Sequence, residues 1–287
     1  MKKRLLPLGV QSFSKIREAE CVYVDKTERI YQLVTGAMGP VFLARPRRFG
    51  KSLLCSTLAA LFEGRRELFA GLAVDSFGWA WKKHPVIHID LNPANYLGGK
   101  VELVSVINMY LDEAAEKTGV QLMGDTISTR FAYLIQAAYG AFSEKVVVII
   151  DEYDKPLLDT INDRELHEEL KNMLRGFYGV LKSSDRFLRF VLLTGVTKFS
   201  QVSIFSQLNN LNDISLDPDY CDLCGITQED LETCFQPEIE RITTENGLDR
   251  QEYIDKLKRF YNGYRFSKKD VTVYNPFGLL NHFNKHG

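Results

Sequence analysis

The stretch VFLARPRRFGKSLLCSTLAALF, residues 41–62, decides the fold. It is a short apolar run, a basic loop, Gly-Lys-Ser, and then leucines at helical spacing. The apolar run at 41–44 reads as a strand buried in a sheet, and residues 51–63 read as a helix stopped at Gly64. A strand that ends inside a sheet and turns straight into a helix aims successive backbone N–H groups, and the positive end of the helix, at one point. Gly50 lets the backbone approach an anion without a clashing Cβ. Lys51 then brings an ammonium to the β- and γ-phosphates of a bound nucleotide, and Ser52 a hydroxyl to Mg2+. Expected binding residues are Arg47, Arg48, Phe49, Gly50, Lys51, Ser52 and Leu53, most of them through the backbone.

The full phosphate-loop pattern, G-x-x-x-x-G-K-[ST], places its first glycine at position 45, where this chain has Arg45. Pro46 also removes one N–H near the start of the loop. Arg45→Gly is expected to be tolerated by the fold but to lower activity, with Arg45 held by a partner that shapes the loop. Lys51→Ala is expected to abolish nucleotide binding without unfolding the chain. Arg47 and Arg48 either reach the γ-phosphate or pair with Asp25 or other acids.

Further apolar runs at residues 86–91, 146–150 and 187–194 read as strands, the second of them beside the loop strand. Helical periodicity at 101–118, 131–142 and 165–182 alternates with them. Strands alternating with helices of this length give an α/β fold: a P-loop NTPase three-layer sandwich with a mainly parallel sheet. After about Asp217 the texture becomes helical with one or two short strands, one of them at 271–274. The expected division is a core of residues 1–216 and a C-terminal subdomain of 217–287.

VVVIIDEYD, residues 146–154, ends a buried strand in paired acids. Asp151 is expected to hold the Mg2+ shell with Ser52, and Glu152 to polarise the attacking water. Two carboxylates at one strand tip repel unless a cation lies nearby. Asp154 and Lys155 either line the site or turn the chain. Thr194, Thr197 and Lys198 fall at the carboxyl edge of the sheet, where ligands of α/β folds collect, and Thr194 is the third expected catalytic residue beside Lys51 and Glu152. No Asn-Lys-x-Asp guanine reader occurs, so adenine is the expected base.

The 36 Lys and Arg nearly balance the 37 Asp and Glu, which excludes a global basic field for nucleic acid. Five cysteines do not make a disulfide framework in a chain of 287 residues. The N-terminus lacks a signal peptide, and no run approaches the length of a membrane span, so a cytoplasmic location is expected. Cys221 and Cys224 lack two further ligands for zinc and read as small core residues. His88, on a strand, reads as a satisfied core histidine. The aromatic and basic run YNGYRFSKK, residues 261–269, reads as a solvated hairpin.

YVDKT (23–27), RPRRFGKSLL (45–54), IIDEYDKPL (149–157), LLTGVTKFS (192–200), YNGYRF (261–266) and VYNPFGLLN (273–281) together resemble a bacterial family of AAA-ATPase-like proteins. The resemblance runs over nearly the whole chain in the family's order. In that family an arginine stands where the first loop glycine would be. The resemblance implies an ATPase core followed by a helical, winged-helix-like segment, and family members often continue into a restriction-endonuclease-like nuclease domain. No nuclease motif of paired acids with a following lysine is found on strands downstream of the ATPase motifs. The expected function is Mg2+-dependent ATP hydrolysis that drives a switch of the C-terminal part. Two alternatives stand beside it: a regulatory module that binds nucleotide with little turnover, and the ATPase part of a nucleic-acid processing system. In the last, the C-terminal part would engage a nucleic-acid or protein partner.

Overall fold

A computed structural model describes residues 4–198, 208 and 210–285. Two helices precede the loop, α1 (Phe13–Glu18) and α2 (Thr27–Gly36), followed by β1 (Val41–Ala44) and α3 (Lys51–Phe62). The chain continues through β2 (Val86–Asp90), α4 (Lys100–Thr118), α5 (Ile127–Phe142), β3 (Val146–Asp151), α6 (Lys155–Asp159), α7 (Arg164–Ser183) and β4 (Leu188–Gly195). A short β5 (Asn212–Asp213) leads to α8 (Gln228–Cys234), α9 (Gln236–Asn246), α10 (Arg250–Tyr261) and α11 (Pro276–Lys285). Residues 199 and 200, which close the LLTGVTKFS motif, lie outside the described residues.

The five strands form one parallel sheet in the order β2-β3-β4-β1-β5. The expectation that the acidic strand β3 lies beside the loop strand is therefore not met: β4 lies between them. Apolar runs alone identify buried strands and leave their order open, because every inner strand of a parallel sheet is covered on both faces. Alternation along β3 shows the two faces. Val147 and Ile149 pack with Leu54, Leu58 and Phe62 of α3, whereas Val146, Val148 and Ile150 pack with α4, α5 and α7. This is the three-layer sandwich.

Parallel registration brings all the strand ends to one edge. Leu43 lies opposite Thr194, Ala44 opposite Gly195, and Asp90 opposite Asp151. Gly195 is obligatory there, since a Cβ would collide with the Tyr153 ring and lie 2.7 Å from Asp154 Oδ1. Helix α5 starts at Ile127, four residues before the expected 131, and is capped by Thr126, whose side chain accepts from Thr129 N while Thr129 Oγ1 accepts from Thr126 N.

The C-terminal helices enclose their own cluster, including Leu231, Phe235, Ile239, Leu257, Leu279 and Phe283. Leu6, Val22 and Val24 of the N-terminal segment pack on the same cluster. Arg4 pairs with Glu238 and Lys26 with Asp230, so the two ends of the chain are tied together. The strand expected at 271–274 is reduced to two isolated antiparallel bridges, Tyr264 with Val273 and Ile226 with Tyr274. Asn275 caps α11 as expected, its Oδ1 accepting from Gly278 N at 2.9 Å. Among the described residues no helix is long and apolar enough to cross a membrane.

Candidate active site

The loop between β1 and α3 is curled by two left-handed residues, Arg48 at φ 63° and Gly50 at φ 94°. Gly50 adopts this conformation at no steric cost; Arg48 does not, and its backbone is held there by what surrounds it. Phe49 between them is fully buried and packs edge-on against Tyr264 and Phe266, with ring centroids 4.8 and 5.3 Å away. Its side chain is an anchor for the loop. A close approach at Gly225 (φ 98°) completes the seat, because a Cβ there would lie 2.9 Å from the Phe49 ring.

Arg45 is 1 % exposed and lies inside the protein. Its guanidinium donates to the carbonyls of Ala44 (2.9 Å), Ser215 (2.8 Å) and Tyr220 (3.1 Å), and lies 4.1 Å from the Phe266 ring. Burial lowers its pKa. These are the partners expected to hold Arg45, but the burial overturns the expectation that Arg45→Gly is harmless to the fold. The substitution would leave a void and strip three carbonyls of a charged donor.

Lys51 is also buried, at 3 % exposure. Its ammonium donates to Arg45 O (3.1 Å) and Pro46 O (3.3 Å) and pairs with Glu152 Oε1 at 3.1 Å. Loss of the side chain would therefore leave Glu152 without its partner, so Lys51→Ala removes packing as well as charge. Burial raises the pKa of Glu152; Lys51 opposes the rise and Asp151 adds to it. Glu152 itself sits at φ 53°, a left-handed turn that directs the chain off β3.

Asp151 is 1 % exposed. Its Oδ1 accepts from Thr194 Oγ1 and, at 3.0 Å, from Glu152 N. Ser52, the second residue of α3, lines the cavity described below. A buried carboxylate oxygen and a hydroxyl are hard donors of the kind Mg2+ takes. No group of three or more His, Cys, Asp or Glu among the described residues could hold a metal.

Asp154 is fully buried and accepts from Val196 N (3.1 Å), Thr197 N (2.8 Å) and Thr197 Oγ1 (2.8 Å), while Tyr153 Oη donates to Thr197 O (2.9 Å). The run Asp151–Asp154 thus fixes the exit of β4 and the loop lysine at once. Lys155 pairs with Asp159 and Lys198 with Asp213, away from Lys51. Asp25 accepts from Thr27 and Ala73 N, so Arg47 and Arg48 pair with neither of its oxygens.

A cavity of about 260 Å3 opens over the loop, lined by Arg48, Lys51, Ser52 and Glu152 on one wall. Gly9 and Gln11 of the N-terminal segment and Phe277 of α11 line the others. Arg47 is exposed and is not part of this lining. Sequence reasoning missed Phe277, Tyr153 and the 7–11 segment. The first two lie within the motifs VYNPFGLLN and IIDEYDKPL, which were the available signal. His88 is half-buried with no partner for Nε2, so it is not the satisfied histidine expected. Cys221 and Cys224 are buried, the latter in the core around α3.

A protein-family model described as predicted AAA-ATPase matches residues 7–205. An uncharacterized protein in the vnfD 5' region of Azotobacter chroococcum mcd 1 is 43% identical over 292 residues, which cover 99% of this chain and 53% of that protein. The chain spans about half the length of the curated relative it matches.

Proposed function

This chain belongs to the predicted AAA-ATPase family, and from that premise we propose that it binds ATP at residues 47–53 and hydrolyses it. The observation that carries the reading is the Lys51–Glu152 ion pair, at 3.1 Å, across the mouth of a glycine-hinged loop at a helix N-terminus. The pair joins the phosphate-binding cation directly to the proposed base. N–H groups from Arg48 to Leu53 and the Lys51 ammonium receive the β- and γ-phosphates. As Lys51 turns to phosphate, the Glu152 carboxylate is released. Glu152 accepts a proton from a water that attacks the γ-phosphorus; the bond to the bridging oxygen breaks, and ADP and inorganic phosphate leave. The raised pKa of Glu152 brings it closer to the range in which a carboxylate is an effective base.

Ser52 and Asp151 would hold Mg2+, which supplies charge neutralisation at the phosphate oxygens. Thr194, donating to Asp151 Oδ1, holds that carboxylate in place at the strand end. The nucleotide ties the loop to the C-terminal helices, which is the basis for a switch. Adenine as the base rests on the absence of a guanine-reading motif and on the family.

Lys51→Met tests the binding half, because it keeps the buried aliphatic length and removes the ammonium. Calorimetric titration with ATP and Mg2+ should show affinity reduced at least about tenfold, the loss expected for a hydrogen-bonding cation. A melting curve checks that the variant is folded. Parental affinity in the folded variant would refute the assignment of the loop.

A further inference from the structure

The cavity over the loop has two kinds of wall. The loop side carries Arg48, Lys51 and Ser52, with Glu152 facing them. The walls given by the N-terminal segment and α11 are apolar apart from Gln11, with Val10, Phe277 and Leu280 among them. Phosphate alone has no use for apolar walls, whereas a flat aromatic group joined to a phosphate chain has use for both.

Arg48 connects the two walls. Its side chain is exposed, it makes no ion pair among the described residues, and its guanidinium lies 4.4 Å from the centre of the half-buried Phe277 ring. Its backbone stands in the left-handed conformation at φ 63° within the phosphate loop itself. A cation over an aromatic ring in contact with water is weakly held. A triphosphate offers the same guanidinium paired, charge-assisted hydrogen bonds, a far better exchange for it than for a ring face. The departing guanidinium then leaves a flat apolar surface beside the phosphate site, and bases stack on such surfaces.

We propose that Phe277 is the residue on which the base of the bound nucleotide stacks, and that Arg48 covers the same ring face until the triphosphate draws it away. This rests on the reading of residues 47–53 as a phosphate site. It makes α11 part of the nucleotide site and gives the C-terminal helices a direct contact to the base, while the loop contacts the phosphates.

Titrations of the full chain with ATP and with inorganic tripolyphosphate, both with Mg2+, test it in the parent, Phe277→Ala, Phe277→Tyr and Lys51→Met. Phe277→Ala should bind ATP about tenfold more weakly or worse, the range for losing a stacking ring. Its affinity for tripolyphosphate should be unchanged or higher, since Arg48 is freed. Phe277→Tyr, which keeps the ring, should bind ATP as the parent does. Lys51→Met should lose affinity for both ligands. Equal ATP affinity in Phe277→Ala and the parent would overturn the assignment of Phe277. An equal loss of both ligands in Phe277→Ala would do the same, because it would mean that the ring only supports the loop. Parental binding of both ligands by Lys51→Met would overturn the phosphate reading, and the stacking proposal with it.

Discussion

Three charged side chains in the loop region do three different jobs although the sequence writes them almost together. Arg45 is structural: its guanidinium is spent on carbonyls at 44, 215 and 220 and on the Phe266 face. Arg48 lies over Phe277, and Lys51 spans two loop carbonyls and Glu152. The division follows from geometry that the string Arg-Pro-Arg-Arg does not carry. Arg45 extends from the end of a buried strand, so its side chain has only the interior to enter. The strand, loop and helix around Gly-Lys-Ser were legible because their signals are local; the destination of Arg45 was not, because Ser215 and Tyr220, which accept from it, lie 170 or more residues away. Arg45→Gly should therefore lower stability by roughly 2–4 kcal/mol through the void and the stripped carbonyls. Thermal or urea unfolding of the purified variant measures this, and parental stability would show that the guanidinium is only a filler.

At the scale of elements, the functional edge is produced by register. Parallel pairing aligns the ends of β1, β2, β3 and β4, so Arg45, Asp90, Asp151 and Thr194 reach one edge from distant parts of the chain. The existence of each strand was legible from its Val and Ile run. The place of β4 between β1 and β3 was not, since strands buried on both faces look alike in sequence. Asp90 is a consequence of that alignment. Burial, with Asp151 and Glu152 adding to it, pushes its carboxyl up to about 6. Between about pH 4 and 6 the folded protein keeps a proton that the unfolded chain has released. The stabilisation from that bound proton is present below the unfolded value and lost as pH rises through the folded one. Asp90→Asn removes the loss, so the variant's melting temperature should gain on the parent's as pH rises from 4 to 7. Melting curves across that range check it; a constant difference would mean that Asp90 titrates alike in both states.

At the scale of the whole molecule, the loop is one of the places where the sheet-bearing part and the C-terminal helices meet. Phe49 and Arg45 pack on Phe266, Gly225 closes on Phe49, and α11 walls the cavity. A ligand in that cavity touches both parts, so binding should protect residues 261–283 from hydrogen exchange. Exchange measured with and without an ATP analogue and Mg2+ reads this directly, and identical rates would indicate a static module. The helical texture after Asp217 was legible, but its contacts with Leu6, Val22 and Val24 were not, because long-range packing leaves no local period. The central claim, hydrolysis with Glu152 as the base, has its most direct test in steady-state ATP turnover by the parent and Glu152→Gln, each with a separate ATP titration. The account predicts that Glu152→Gln binds ATP nearly as the parent does while turnover falls about 10²-fold or more, the range for losing a general base. Equal turnover in the two proteins, or no turnover in the parent, would contradict it.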